Sequence, residues 1–255
     1  MDIILNEKEW AESAIVSKQL GSKPTVTLKR VARYLRQING YKKTEVRKRI
    51  GDFLFQCDPN ARLNKWDKIL DSIADDSDKY SIVNIESIGI SKAELDIIGT
   101  LPDRQPKRLA FVLLVAAKYY NAVNDMNNGW VHFADKDIMK MANINTTVRR
   151  QSQMFREIRD AGLIHYSSKV DNLKVQILFL KPDSPSVIHI TDCRNLGNQY
   201  LLYCGEPYFQ CAQCGLTIKK KHNVHKYCSD CASEMYIKKS VESVMRRRES
   251  ATTHA

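Results

Sequence analysis

Four cysteines near the carboxy terminus constrain this chain more than any other feature. They occur as Cys211-Ala212-Gln213-Cys214-Gly215 and Cys228-Ser229-Asp230-Cys231, with thirteen residues between the inner two. Two residues between paired thiols let both sulfurs turn toward one point, and two such pairs supply the four soft ligands of a tetrahedral Zn²⁺ ion. Gly215 suits a backbone that reverses just after the first pair, where a positive φ is needed. A lone CxxC would serve redox chemistry, and two disulfides would need an oxidising compartment. Two pairs at finger-like spacing in a polar, basic stretch favour one structural ion held by Cys211, Cys214, Cys228 and Cys231. His222 and His225 lie inside the same loop and are the alternative ligands; with four thiolates present, both are expected on the finger surface. A closed all-thiolate site leaves no coordination position for water, so it is a folding element rather than a catalyst.

The Cys-Gly knuckle, a short hairpin through Leu216 to Lys221 and Lys226-Tyr227-Cys228 leading into a helix resemble treble-clef or zinc-ribbon-like modules. Such modules accompany nucleic-acid-binding domains and also serve as structural clips. Beyond Cys231 a helix is expected through Ala232, Tyr236, Val241 and Val244, with Lys238, Lys239, Arg246, Arg247 and Arg248 making its outer surface basic. With Lys219, Lys220 and Lys221 on the hairpin, the finger offers a phosphate-binding surface.

At 255 residues the chain can hold two compact units and a small metal module. The expected fold is mainly α with small β elements: a helical basic region over 1–100, a domain over 101–182, and a zinc module with a basic helix over 187–250. The longest apolar run, Leu109 to Ala117, is too short for a membrane span. Met1-Asp2 opens no signal peptide, so a cytoplasmic protein is expected, with Cys57, Cys193 and Cys204 as free thiols.

The formal charge of +11 is unevenly spread. Residues 23–49 hold ten Lys or Arg against Glu45 alone, and residues 211–250 hold nine against four acids. A polyanion is the simplest partner, since each phosphate neutralised releases counterions; a surface that merely keeps the protein soluble is the alternative.

In the first hundred residues a short helix is expected from Glu7 to Lys18. A second is capped by Thr27 and runs to Ile38, with Leu28, Val31, Leu35 and Ile38 inward and Lys29, Arg30, Arg33 and Arg36 outward. Thr44 is expected to cap a third, burying Val46, Ile50, Phe53 and Leu54. A fourth spans Asn64 to Ile73, with Trp66, Ile69 and Ile73 as its core. Tyr80 to Ile88 suggests a strand, and Ser91 with Glu94 forms a capping box ahead of a helix to Ile98. Gly99 and Pro102 mark a boundary near residue 101.

The middle block has a definite order of elements. A long helix from Gln105 to Asn124 is followed by a strand at Trp130 to Phe133, a helix bearing Ile138, Met139 and Met141, and a turn at Asn143 to Asn145. Thr146 then opens a helix reaching Ala161, docked by Val148, Phe155 and Ile158. Arg149, Gln153 and Arg156 fall at i, i+4 and i+7, with Thr147 and Arg150 beside them, on a face able to reach base edges or phosphates. Strands at Leu163 to Ser168 and Leu173 to Leu180 flank a wing carrying Lys169 and Lys174.

This order, with Phe155-Arg156-Glu157-Ile158-Arg159-Asp160-Ala161-Gly162-Leu163-Ile164, resembles the winged helix-turn-helix domains of bacterial and phage regulators and replication proteins. The resemblance implies duplex DNA as partner, read by Arg149, Gln153 and Arg156. It also brings in a second copy of the chain, RNA polymerase or replication proteins as further partners. After the wing, Val187 to Ile190 and Tyr200 to Tyr203 are expected as strands that dock the finger on its neighbour.

No phosphate loop, HExxH helix or dinucleotide-binding glycine pattern occurs, and the carboxylates form no recognisable nuclease cluster, which disfavours an enzyme. A DNA-binding regulator of transcription is the leading expectation. A replication accessory factor is the nearest alternative, and a protein-docking or RNA-binding adaptor the next.

Overall fold

The computed structural model describes residues 3–168 and 174–252, and Lys169 lies outside them. The described chain is mainly helical with small sheets. It divides into two compact units, residues 4–88 and residues 89–252 with Ile3.

The first unit contains α1 (Glu7–Ser17), α2 (Pro24–Gln37), α3 (Lys43–Cys57) and α4 (Leu63–Asp75). The Asn6 side chain caps α1 by accepting from the Glu9 N–H at 3.0 Å. Pro24 occupies the first turn of α2, where its missing N–H costs nothing and its fixed φ is already helical. That places the start ahead of Thr27, which is buried and donates its hydroxyl to the Leu20 carbonyl at 2.7 Å instead of capping. Likewise Thr44 lies inside α3, whose first residue is Lys43. Leu28, Val31, Leu35, Val46, Ile50, Phe53, Leu54, Leu70 and Ile73 form the core. Ile69, expected inside, is exposed, and Leu70 takes its place.

The basic character of this unit is largely consumed within it. Arg30 and Arg33, expected on the outside of α2, turn toward buried Glu7, at 3.3 and 2.7 Å. The same carboxylate accepts from the Val83 N–H at 3.2 Å, clasping the end of the unit onto its first helix. Arg36 pairs with Asp78 at 2.9 Å, while Arg47 bonds Asp71 at 2.9 Å and also reaches Asp67.

The strand expected within Tyr80 to Ile88 falls later, as β1 (Ile88–Ser91), which leads into α5 (Lys92–Gly99) through the anticipated capping box. Helix α5 belongs to the second unit rather than to the region before residue 101, because Glu94 ties it there. Its carboxylate, fully buried, accepts from Lys118 Nζ at 2.8 Å and from the Lys181 N–H at 2.9 Å. Lys118 lies on α6 (Arg104–Val123), which is buried on every side from Leu109 to Ala117. A helix apolar all round must be the centre of its domain.

Around α6 follow β2 (Trp130–Val131), α7 (Asp135–Met141), α8 (Val148–Asp160), β3 (Ile164–Tyr166) and β4 (Val175–Ile177). The strands form an antiparallel sheet in the order β2-β4-β3, pairing Val131 and Tyr166 with the two sides of Val175. Strand β2 is shorter than expected because Phe133 leaves the ladder to pack on Tyr120, ring centroids 5.1 Å apart.

Strand β5 (Ser186–Ile190) pairs with β1. The run Tyr200 to Tyr203, expected as a strand, is the end of α9 (Leu196–Tyr203). Helix α9 approaches the end of α7 so closely that a Cβ on Gly197 would lie 2.0 Å from the Ala142 carbonyl oxygen, which only glycine permits. Tyr200 packs on Phe111 of α6 with centroids 5.4 Å apart. The chain ends in β6 (Tyr208–Gln210), β7 (Thr217–Lys219) and α10 (Ser229–Thr252). No helix among the described residues is long and apolar enough to cross a membrane.

Candidate metal centre and nucleic-acid interface

Strands β6 and β7 form a hairpin pairing Tyr208 with Lys219 and Gln210 with Thr217, and the first cysteine pair lies in its turn. Gly215 adopts φ +73°, and its N–H donates to the Cys211 carbonyl at 2.9 Å, closing the knuckle as the sequence anticipated. Cys228 immediately precedes α10 and Cys231 lies in its first turn. The Ala212 N–H donates to the Lys226 carbonyl at 2.9 Å and brings the two halves together.

All four sulfurs then lie within 4.8 Å of one another. Cys211, Cys228 and Cys231 are buried and Cys214 half-buried. None is in a disulfide, and Cys214 and Cys228 Sγ stand 3.7 Å apart. Tetrahedral thiolates about 2.3 Å from one ion are separated by roughly that distance. Backbone amides face the sulfurs: the Cys228 N–H donates to Cys211 Sγ at 3.2 Å and the Cys231 N–H to Cys228 Sγ at 3.5 Å.

The electrostatics also suit a cation. Burial works to raise the Cys211 thiol, but hydrogen bonds from the Cys214, Cys228 and Gln213 backbone outweigh it and bring the group down to about 6. Cys231 is pushed strongly upward, first by its hydrogen bond with Cys228 and then by burial. One thiolate forms readily, and a further one beside it is opposed unless a positive ion enters. The four cysteines are therefore positioned to hold a metal ion. Among the described residues His222 and His225 are not part of the cluster, nor are Cys57, Cys193 and Cys204. Burial lifts the Cys193 thiol to about 12, which makes it inert packing.

The module is fastened to the α6 domain by α9. Asn198 Nδ2 donates to the Thr217 carbonyl at 3.1 Å while its Oδ1 accepts from Asn143 Nδ2 at 3.1 Å. Arg194 Nη2 donates to the Cys214 carbonyl at 2.6 Å, and Arg104 pairs with Glu206. The finger is thus a docked module, as expected, although a helix rather than a strand docks it.

On α8, Thr147 rather than Thr146 is the cap, its hydroxyl accepting from the Arg150 N–H at 3.3 Å. Met154, Phe155 and Ile158 are buried against the domain, while Arg149, Gln153 and Arg156 are exposed together on the other side. Neither Arg149 nor Arg156 has an ion-pair or hydrogen-bond partner among the described residues. Val148 is not a core residue: it begins the helix and is 76% exposed. Arg150 is not a free surface cation either, since it bonds Glu157 at 2.6 Å and Asp103 at 3.2 Å. Thr146 is half-buried, its carbonyl accepting from Gln151 Nε2 at 3.2 Å.

Lys174 is half-buried at the entry to β4, whereas Lys219, Lys220 and Lys221 are exposed with no ion pair among the described residues. The sequence reading missed that Phe209 aligns with His225 and His222 beside these lysines. Hairpin register, which only the fold supplies, brings them together. Comparison with protein-family models, curated proteins and solved structures finds no match to this chain.

Proposed function

We propose that residues 104–180 form a winged helix that binds duplex DNA through α8, in a regulator of transcription whose carboxy-terminal cysteines hold Zn²⁺. The order helix, strand, helix, helix, strand, strand and the β2-β4-β3 sheet support the winged-helix assignment. The observation that carries the binding role is Arg149 and Arg156, which form no ion pair among the described residues, with Gln153 between them, on a helix face turned to solvent. Charged side chains left without internal partners are available to phosphates or to guanine edges, and Gln can read adenine. Exposed Val148 adds an apolar group of the kind that meets a thymine methyl. Zn²⁺ is the ion best matched to four thiolates in a closed site; it would be held by Cys211, Cys214, Cys228 and Cys231 and would supply folding energy only. Lys174 and the hairpin lysines contact backbone phosphate.

The test is selection of duplex sequences by the full chain, followed by titration of the selected site. Arg149→Ala with Arg156→Ala is expected to weaken the selected site at least about tenfold while changing non-specific duplex much less. Identical binding curves for wild type and the double variant would reject the α8 assignment.

A further inference from the structure

The finger carries a ladder of rings that the cysteine cluster does not use. Phe209 on β6 stands 4.7 Å from His225, centroid to centroid, with the two planes tilted by 59°, and His225 stacks on His222 at 5.1 Å with the planes only 29° apart. Phe209 and His225 are half-buried, and His222 at the end of the ladder is exposed.

The loop that holds these rings is tied at several points. The His225 N–H donates to the His222 carbonyl at 3.1 Å, forming a tight turn. His225 Nδ1 accepts from the Lys221 N–H at 3.2 Å, an arrangement that puts the ring proton on Nε2. The Lys220 N–H bonds the Pro207 carbonyl at 2.7 Å, and Ala212 holds Lys226 from the other side. The rings are therefore ordered before any partner arrives, which lowers the entropy cost of binding.

Charge narrows the kind of partner. Lys220 and Lys221 immediately precede His222, the Lys221 N–H being bonded to His225, and no Asp or Glu occurs from Cys211 to Ser229. An open ring face beside unopposed cations suits a ligand that has both a flat π surface and a phosphate. In a duplex the base faces are covered by their neighbours, and only an unpaired nucleotide offers one.

We propose that the Phe209–His225–His222 ladder, flanked by Lys220 and Lys221, is a stacking platform for an unpaired nucleotide, so that the finger binds a single-stranded segment. This rests on nucleic acid being the partner but not on α8 being the duplex reader. His222 stacks on the base, His225 and Phe209 support it from behind, and the lysines neutralise the adjoining phosphates.

The experiment uses the full chain loaded with Zn²⁺, a fluorescein-labelled oligothymidylate of about 15 nucleotides and a blunt duplex carrying the selected site. His222→Ala with His225→Ala is expected to weaken the oligothymidylate about tenfold and to leave the duplex unchanged. Phenylalanine at both positions keeps a stacking face and is expected to retain strand binding. Arg149→Ala with Arg156→Ala reverses the pattern, so failure of the α8 assignment appears in the duplex arm alone. Zinc content is measured for each variant, and the wild-type protein is also titrated while its histidine ring carbon–proton resonances are followed. Upfield movement of the His222 resonances supports stacking. Resonances that stay in place as oligothymidylate is added, or an alanine pair that binds the strand as wild type does, overturn the platform.

Discussion

Glu94 illustrates how one side chain can decide the assembly of a domain. It closes the capping box of α5, accepting from the Ser91 N–H at 2.8 Å, and the same carboxylate meets Lys118 and the Lys181 N–H. Three chain segments distant in sequence thus converge on a group with no solvent exposure. A buried carboxylate is tolerated only when paired and hydrogen-bonded, and both conditions are met here. Replacing Glu94 by Ala strands the Lys118 ammonium and leaves the Lys181 N–H unsatisfied. The expected cost is about 3 kcal/mol, read as a lower midpoint in urea unfolding followed by tryptophan fluorescence. An unchanged midpoint would show that Lys118 finds water instead. Glu7 in the first unit plays a similar part with Arg30 and Arg33. The capping box was legible because it is local in sequence; the ion pairs were not, because their partners lie far along the chain.

At the scale of elements, periodicity revealed whatever had one wet and one dry face. Helices α2, α3 and α8 were legible in this way, and the CxxC pairs fixed the knuckles by spacing alone. Two kinds of element escaped. Tyr200-Leu201-Leu202-Tyr203 is a short apolar run that suits a strand or a buried helix equally, and only packing against α6 makes it α9. Val148 fits the apolar period of α8 but falls at its first residue, ahead of the surface that the domain covers. Arg150 shows the same limit from the opposite side: it reads as a cation beside the exposed face of Arg149, Gln153 and Arg156, yet it joins Glu157 on its own helix to Asp103 just before α6. Arg150→Gln is therefore expected to lower stability by about 1 kcal/mol while weakening duplex binding less than Arg149→Gln does. Thermal unfolding and anisotropy titrations on the two variants separate these effects; the reverse order of affinities would place Arg150 in the interface.

Over the whole molecule, net charge did not reveal which cations are already paired inside the fold. The densest basic stretch, residues 23–49, spends Arg30, Arg33, Arg36 and Arg47 on internal acids, whereas Arg149, Arg156 and the hairpin lysines form no ion pair among the described residues. Stability is divided unequally as well. The unit over residues 4–88 has its own apolar core, but the finger has little beyond its cysteines, Leu216, Ile218 and Tyr227. A module so small cannot offset its chain entropy by burial alone, and a metal ion held by the four cysteines would supply the difference. Removing the ion with a strong chelator, or replacing Cys214 by Ser, is thus expected to unfold the hairpin and release the start of α10 without melting α1 to α4. Amide hydrogen exchange can follow this by segment: protection should collapse between residues 208 and 231 and persist in the first unit. In the same samples the single-strand affinity should fall with the finger, while duplex binding through α8 should survive with a shallower salt dependence. Protection of the hairpin that is indifferent to metal would mean that docking through α9, rather than four thiolates around an ion, holds the finger together.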